Sequence, residues 1–386
     1  EDCALSHLNS IFVYADLLQS DMLAAVIQDE ASQVTQQPAS VDKDALDCRF
    51  DTSATVDAPA EKDRIEGIIL SDMSQDHRAR LAFFYTVFGA VSVGGKAQTA
   101  SDIIPVKIYC SPSMSGLESH LWSPVGRDLV GVGDNLALAL RLIDDVMELY
   151  GQIGAAEVAA RLPRMRARAQ SARMAQTAVA RGVGLEMTRD LVHHQVQRQP
   201  YSGFFAVEEH DVSFQKFDGT YSPVVTRAVF VSSDAAIVLP YDPVTDRVLL
   251  VEQFRAGPYI RGDRYPWCLE PIAGLIDAGE TPAQAALREA KEEAGLDLKG
   301  LELISQTYPS PGSSAEFFHL YLGLADLPAS TDLIAGLATE TEDIRSHIFT
   351  FSELMDHIDL GSFSVGPTVL AGLWLARNRD RLRATG

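Results

Sequence analysis

The sequence is poor in cysteine and in basic residues, and it has no long apolar run. Its four cysteines, Cys3, Cys48, Cys110 and Cys268, show neither C-x-x-C spacing nor the density of a disulfide scaffold, so we expect reduced thiols and no zinc site. Lys and Arg number 32 against 53 Asp and Glu, and the net charge of −21 argues against general affinity for nucleic acid or anionic membranes. No apolar run reaches about 18 residues, and Glu1 begins the chain without a charged-then-apolar leader. We therefore expect neither a membrane span nor a signal peptide, and a cytoplasmic location.

The sequence pattern changes twice along the chain. Its 386 residues, 46% of them hydrophobic, suffice for two to three domains with separate cores. Short apolar runs predict an α/β or α+β module over residues 1–125, and helical periodicity predicts a helical connector over 126–198. Strand patterns dominate residues 199–386, including two alternating segments separated by Asp218 and Gly219, a hairpin signature. We therefore expect three segments with these boundaries.

The connector carries the one basic island of this acidic chain. Such a cluster is more often a solvated or ion-paired face than a phosphate site, so we assign it no role in a functional site. We also treat the neighbouring His193 and His194 as surface residues without a metal role. The arginines of the island are Arg161, Arg164, Arg166, Arg168 and Arg173.

The stretch from Gly274 to Leu296 places charged residues at spacings that a chemistry requires. Thr281, Pro282 and Gln284 supply an N-cap hydroxyl, a first-turn proline and a capping-box partner, so we predict that a helix begins at Pro282. Gly295 supplies the end of the helix.

The predicted helix has an apolar face and an acidic face. Three carboxylates on one face repel one another unless a cation lies among them, and hard oxygen ligands suit Mg²⁺ or Mn²⁺. The pattern therefore predicts a metal platform, whereas a solvated acidic face is the simpler alternative for an isolated E-x-x-E-E. The helical period predicts that Ala283, Leu287, Ala290 and Ala294 face a core and that Glu289, Glu292 and Glu293 lie opposite.

The whole stretch matches the pattern G-x5-E-x7-R-E-U-x-E-E-x-G-U, where U is apolar. This pattern is the Nudix box, so the chain resembles the Nudix hydrolases. The resemblance implies an α/β/α sandwich with a mixed sheet, and metal-assisted hydrolysis of a diphosphate. The fixed positions are Gly274, Glu280, Arg288, Glu289, Glu292, Glu293 and Gly295.

The flanks of the box resemble the ADP-ribose pyrophosphatase branch of this family. The similar segments are VEQFR ending at Arg255, LEPIAG entering the box, the SPG loop around Pro311, and GLATETEDIR from Gly336 to Arg345. The resemblance implies that ADP-ribose is cleaved to AMP and ribose 5-phosphate, and that the protein is a homodimer. The whole chain resembles the bacterial two-domain Nudix proteins named for tellurite resistance.

The resemblance also implies which residues bind metal. It assigns metal ligation to the carbonyl oxygen of Ala273 and to the carboxylates of Glu289 and Glu293, with Glu292 assisting or sharing. Arg288 would orient these carboxylates. The implied cofactor is Mg²⁺, with Mn²⁺ as the alternative.

The remaining implied roles lie outside the box. Glu340, with Glu342 as its rival, corresponds to the loop glutamate that prepares the attacking water. Arg255, Pro311 and Glu316 match positions that contact substrate. Each residue also has a simpler interpretation. Arg255 could form an ion pair, for which Glu252 is the carboxylate available in the VEQFR segment. Pro311 could shape a turn, and the two loop glutamates could be solvated acids.

Two other functions compete with ADP-ribose hydrolysis. Another nucleoside diphosphate sugar, such as GDP-mannose, is the nearest alternative substrate. A non-catalytic nucleotide-binding sensor or scaffold is the alternative of a different class, and the complete set of box carboxylates argues against it.

The first module faintly resembles the gamma-glutamylcyclotransferase-like fold. Members of that fold open with a strand and a Y-G-T-L turn, where this chain has Tyr14, Ala15, Asp16 and Leu17. Tyr85, in LAFFYTVFG, stands where their catalytic glutamate lies. Loss of the turn glycine and of the carboxylate predicts that this module has no cyclotransferase activity and serves a structural or dimerising role.

Overall fold

The computed structural model describes residues 10–13, 20–42, 64–110, 136–177, 187–329, 334–336 and 343–385. Two compact units make up the chain, Glu1–Ala178 and Val179–Gly386. Within the described ranges, no helix is both long and apolar enough to cross a membrane.

The first unit contains a closed barrel and helices that share one hydrophobic core. Its elements are β1 (Ile11–Val13), α1 (Ser20–Ile27), β2 (Thr35–Asp42), β3 (Arg64–Ser71), α2 (Gln75–Val87), β4 (Val91–Gln98), β5 (Ile103–Cys110), α3 (Leu136–Met147) and α4 (Ala155–Thr177). The strands follow the order β1-β3-β2-β4-β5 around the barrel, and β1 is parallel to β5. Ile143 of α3 and Val158 of α4 belong to the same buried cluster as Phe12 and Ile108 of the barrel.

The helices predicted as a connector therefore pack into the core of the first unit, whereas the last part of the range 126–198 belongs to the second. Whether 1–125, 126–198 and 199–386 act as separate domains stays a prediction. Within the basic island, Arg161 donates to Glu157 Oε1 at 2.5 Å, and the Arg166 guanidinium lies 5.9 Å from the centroid of the Phe88 ring. These contacts agree with an ion-paired and packed helix face.

Tyr85 is a core residue of the first unit. It lies on α2 with 1% of its surface exposed, and its ring stacks on that of Tyr109 with centroids 4.5 Å apart. Burial raises the pKa of the Tyr109 hydroxyl to about 12. Tyr85 thus packs as an aromatic core side chain. Residues 14–17 lie outside the described residues, so the absence of cyclotransferase activity stays a prediction.

The second unit contains two sheets and the helix that the sequence singled out. Its elements are β6 (Val192–Ser202), β7 (Ala206–Phe214), β8 (Val225–Val231), β9 (Ala235–Asp242), β10 (Arg247–Phe254), α5 (Ala256–Arg261), β11 (Trp267–Glu270), β12 (Ile272–Leu275), α6 (Pro282–Ala294), β13 (Gly300–Thr307), β14 (Phe318–Leu324), β15 (Ile334–Ala335), β16 (Ile344–Thr350), α7 (Phe351–Asp359) and α8 (Gly366–Thr385).

The smaller sheet is the antiparallel meander β6-β7-β8. The predicted hairpin is confirmed, because β7 and β8 pair across a loop in which Gly219 has a φ of 82°. His193 and His194 lie exposed on β6, and the His193 ring stacks on Tyr221 with centroids 4.4 Å apart. They are surface residues, as the sequence predicted.

The larger sheet is mixed, as predicted. Its order is β13-β14-β9-β10-β16-β15, with β11 paired to β10 and β12 paired to β9. The pair β14 and β9 is parallel, whereas the other pairs are antiparallel. Strands β9 and β10 pair only where Tyr241 and Asp242 meet Arg247 and Val248, so they diverge beyond that point, where β11 and β12 are inserted.

Helices cover both faces of the mixed sheet. Leu239 and Leu250 share a buried cluster with Leu354 of α7 and Leu375 of α8, so these helices cover one face. Alternation along a strand turns Ala236 to the other face. Helix α6 contacts that second face. The architecture is therefore an α/β sandwich with α7 and α8 on one face of the sheet and α6 on the other.

Candidate functional site

Helix α6 begins and ends where the sequence predicted. Thr281 is the N-cap, and its backbone N–H donates to Gln284 Oε1 at 2.9 Å, while its hydroxyl accepts from the Gln284 N–H at 3.3 Å. Pro282 is the first helical residue. Gly295 adopts a left-handed conformation with a φ of 64°, which allows its N–H to bond back to the Lys291 carbonyl at 3.0 Å.

The predicted orientation of this helix is wrong in one respect. Leu287 is 44% exposed, whereas Glu293, predicted to face away from the core, is only 2% exposed. The helical period correctly groups residues but does not say which group the sheet covers. Glu293 lies beneath β12, where its Oε2 accepts from the Ala273 N–H at 3.3 Å. The buried residues are Ala285, Ala286, Ala290, Glu293 and Ala294.

Gly274 provides the space into which Glu289 fits. A Cβ at Gly274 would lie 1.7 Å from Glu289 Oε1 and 2.0 Å from its Cδ. The glycine is therefore required by a close approach of a carboxylate, since its φ lies outside the left-handed range. The first and sixteenth residues of the stretch from Gly274 to Leu296 are thus in close contact, which the spacing of the box alone does not reveal.

Arg288 holds three carboxylates of the box together. Its Nη1 lies 2.6 Å from Glu289 Oε1 and 3.0 Å from Glu292 Oε2, and its Nε lies 3.0 Å from Glu280 Oε1. Its Nη2 also donates to the Leu275 carbonyl at 3.1 Å. The hydrogen bonds to Glu280, and then the charge of Glu289, raise the pKa of Arg288. The guanidinium thus contacts Glu289 and Glu292, in line with the orienting role that the resemblance implied, and also Glu280.

The donor set around α6 suits a hard divalent cation. Glu289, Glu292 and Glu293 offer carboxylate oxygens, and Ala273 offers a backbone carbonyl on the adjacent strand. The space opposite Gly274 admits Glu289 next to that strand. In the ranges that the structure describes, no group of three acidic, histidine or cysteine side chains already stands in a metal-binding arrangement. The oxygens of Glu289 and Glu292 are turned towards Arg288 instead.

A second polar cluster lies beside the box and contains two of the predicted substrate residues. Arg255 Nε bonds to Glu270 Oε1 at 2.6 Å, so its carboxylate partner comes from the LEPIAG segment and not from Glu252 of its own segment. Burial raises the pKa of Glu270, against the opposing effect of Arg255. Burial, and then the charge of Asp234, raise the pKa of Glu316, whereas the charge of Arg255 lowers it. The charge of Arg255 therefore acts on Glu316.

The remaining predicted site residues are Pro311, Glu340 and Glu342. Pro311 is exposed in a turn closed by the bond from the Ser313 N–H to the Ser310 carbonyl at 3.1 Å. Glu340 and Glu342 lie outside the described residues, so their roles stay predictions. The first described residue after them, Asp343, lines a cavity of about 260 Å³. Among the described residues, Glu252, Trp267 and Arg345 also line it.

Sequence reasoning missed Asp234, Glu270 and His319. Asp234, the residue before β9, and His319 of β14 are 85 residues apart in the sequence and bond at 3.3 Å, so no local motif links them. Glu270 lies inside the LEPIAG segment, which the sequence analysis had noted without giving this residue a role. The pairing of β11 with β10 and the burial of Glu270 reveal its importance, and neither can be read from the segment alone.

Comparison with known proteins identifies the second unit. The NUDIX domain family matches residues 232–365, which run from just before β9 to just before α8. The chain is 38% identical over 185 residues to the ADP-ribose pyrophosphatase of Haemophilus influenzae, an alignment that covers 47% of this chain and 85% of that protein. The chain belongs to the Nudix family.

Two further relatives of this Nudix protein are a second ADP-ribose pyrophosphatase and a GDP-mannose pyrophosphatase. The ADP-ribose pyrophosphatase of Escherichia coli K12 is 36% identical over 183 residues, covering 47% of this chain and 87% of that protein. A GDP-mannose pyrophosphatase of Escherichia coli O1:K1 is 31% identical over 144 residues, covering 37% of this chain and 74% of that protein. The Nudix match excludes the first unit and the meander β6-β7-β8.

Proposed function

We propose that the Nudix unit hydrolyses the diphosphate of ADP-ribose to AMP and ribose 5-phosphate with a divalent cation. The observation that carries this proposal is the carboxylate cluster of α6, built against β12 as the box requires. Similarity to two ADP-ribose pyrophosphatases over more than four fifths of their length supports the choice of substrate.

The residues that would hold Mg²⁺, or Mn²⁺, are Glu289, Glu292, Glu293 and the carbonyl of Ala273. When bound, the cation neutralises diphosphate charge and lowers the pKa of a bound water. Arg288 compensates the carboxylates before they bind it, because three carboxylates this close repel one another. Glu289 and Glu292, whose oxygens contact Arg288 in this structure, would be among the residues that hold the cation.

The proposed chemical step needs a proton acceptor and groups that hold the substrate. Glu340 or Glu342 takes a proton from the attacking water, whose oxygen forms a bond to phosphorus as the bridging P–O bond breaks. Arg255 contacts a phosphate oxygen, and Glu316 contacts the ribose hydroxyls. Positioning and charge neutralisation supply most of the rate enhancement in such reactions. The predicted homodimer and the link to tellurite resistance stay predictions.

Product analysis with a variant tests the proposal. Wild-type protein with ADP-ribose and Mg²⁺ is expected to release AMP, and Glu293→Gln is expected to lower kcat by at least about 100-fold because a buried metal carboxylate becomes a neutral amide. Glu302→Gln is the matched control. Glu302 lies on β13, outside the box, and pairs with Arg381 of α8. Absence of AMP with both Mg²⁺ and Mn²⁺ contradicts the proposal.

Two other functions are separated by the same assay. A GDP-mannose pyrophosphatase is among the relatives, so a higher kcat/KM for GDP-mannose than for ADP-ribose would reassign the substrate. A non-catalytic nucleotide-binding sensor would bind ADP-ribose with no turnover in the wild type, leaving Glu293→Gln nothing to abolish.

A further inference from the structure

A relay of three side chains, of which His319 and Asp234 are buried and Gln306 is exposed, crosses the mixed sheet next to the second polar cluster. Gln306 Nε2 lies 3.0 Å from His319 Nδ1, and His319 Nε2 lies 3.3 Å from Asp234 Oδ2. His319 and Asp234 are only 7% exposed in their side chains. No residue of this relay belongs to the Nudix box.

The chemistry of Gln306 fixes the tautomer of His319. The amide nitrogen of Gln306 is only a donor, so His319 Nδ1 must accept and carries no hydrogen. The neutral ring therefore has its hydrogen on Nε2, which donates to the Asp234 carboxylate. The relay has one direction, from the Gln306 amide through the imidazole to Asp234.

The strand register places this relay on the same sheet face as the Nudix box. His319 of β14 pairs with Ala236 of β9, and Ala236 pairs in turn with Gly274 of β12. Paired residues on neighbouring strands share a face, and two strand spacings amount to about 10 Å. His319 therefore lies about 10 Å from the glycine against which Glu289 fits.

Asp234 connects the relay to the cluster proposed to hold substrate. Its carbonyl accepts from the N–H of Ile276, just after β12, at 2.9 Å. The Ala235 N–H donates to the Phe317 carbonyl at 2.9 Å, which joins the residues that directly follow Asp234 and Glu316, and the charge of Asp234 contributes to the raised pKa of Glu316. The carboxylate needs a fixed donor, because two carboxyl groups in one buried site otherwise repel each other and move apart. His319 supplies that donor at 3.3 Å.

We infer that His319 is a positioning residue that, held by Gln306, fixes the Asp234 carboxylate beside Glu316 and so orients Glu316 for the sugar hydroxyls of a nucleoside diphosphate sugar. This inference rests on the proposed function. It assigns to His319 no contact with the substrate, so its loss affects binding of the sugar more than the chemical step.

Kinetics of paired variants test the inference. His319→Leu removes the donor and is expected to raise KM for ADP-ribose about tenfold, the value of one hydrogen bond to a charged group, with kcat changed by less than about threefold. His319→Gln places an amide nitrogen near the position of Nε2 and is expected to restore KM to within about threefold of wild type. Asp234→Asn, which keeps the fold of the relay but removes the charge, is expected to behave as His319→Leu does.

The control is the other histidine–carboxylate pair of the sheet. His347 Nε2 bonds to Glu252 Oε2 at 2.9 Å on the face covered by α7 and α8. His347→Leu is expected to lower stability without a selective rise in KM. The inference is overturned if KM is unchanged in His319→Leu. It is also overturned if His319→Leu and His347→Leu show the same fall in kcat and the same rise in KM. If His319→Leu does not fold, Asp234→Asn and His319→Gln decide the question by the same criteria.

Spectroscopy of the wild-type full chain provides a test without turnover. Nitrogen NMR of His319 at neutral pH is expected to show a protonated Nε2 and an unprotonated Nδ1. The opposite tautomer overturns the inference even if the enzyme is active. Absence of ADP-ribose hydrolysis in the wild type, with the expected tautomer present, refutes the proposed function instead, so the two failures are distinguishable.

Discussion

Replacing Gly274 by alanine tests whether the close approach of Glu289 to β12 is required for activity. The new Cβ would lie 1.7 Å from Glu289 Oε1, and an ordinary contact begins at about 3.4 Å, so the carboxylate has to move by about 1.7 Å. The clashing atoms belong to the far end of a side chain, and the Gly274 backbone is not in the left-handed region. The fold should therefore tolerate the substitution better than the site does.

The expected size of the effect follows from this displacement. Misplacement of a catalytic group by about 1 Å costs on the order of 100-fold in rate, so Gly274→Ala should lower kcat/KM for ADP-ribose by at least about 100-fold. This loss corresponds to about 2.7 kcal/mol of transition-state stabilisation. The free energy of unfolding should change by only about 1 kcal/mol, because the glutamate side chain rotates away.

The assay is release of AMP at saturating Mg²⁺, with urea unfolding measured on the same samples. Gly300→Ala is the matched control, because its Cβ would meet only Leu324 Cδ1 at 3.8 Å, an ordinary contact on another strand of the same sheet. Activity of Gly274→Ala within about threefold of wild type would refute the reasoning, as would a loss of activity that merely follows a loss of folding.

Two further predictions concern charges that the fold compensates. Arg288→Gln leaves three carboxylates without their guanidinium, so it should lower the free energy of unfolding by about 2–4 kcal/mol. Mg²⁺ should then stabilise this variant more than it stabilises wild type, as urea unfolding with and without Mg²⁺ would show. An equal stabilisation of both proteins by Mg²⁺ contradicts the prediction. Asp246 bonds to Arg379, Arg383 and Tyr241, and its pKa is lowered to about 2, chiefly by Arg379. A depressed pKa stabilises the fold above the unfolded value of about 4, and this contribution is lost as pH falls towards 2. Asp246→Asn, which tolerates the φ of 58° at this position, should therefore cost about 1–2 kcal/mol at pH 7 and almost nothing near pH 2, as urea titrations at the two pH values would show.

Local signals made helix α6 predictable. Thr281 and Gln284 bond to each other, Gly295 bonds to the carbonyl four positions before it, and Pro282 occupies the first helical position, all where the sequence placed them. Such interactions need no knowledge of the rest of the chain. The same holds for the hairpin around Gly219, which depends on a turn conformation that glycine adopts readily.

The orientation of α6 was not predictable in this way. The helical period placed Glu293 away from the core, but the sheet buries it, because β12 offers the Ala273 N–H to its carboxylate. The helical period shows which residues share a face but not how far the covering sheet extends around the helix, so tertiary contacts decide which side chains are buried. Likewise Arg255 pairs with Glu270 of β11, since strand pairing brings these residues together and sequence proximity does not.

The sequence by itself determined the reaction class, since the identities and spacing of the box carboxylates are encoded within one helix and the turn before it. Only the tertiary structure decided how those carboxylates are held. Arg288 gathers Glu280, Glu289 and Glu292, and Gly274 leaves room for Glu289. It also revealed the Gln306–His319–Asp234 relay, whose members meet across strands that are distant in sequence. The physical reason is that local hydrogen bonds form a helix, whereas strand register and burial choose the partners of each charge.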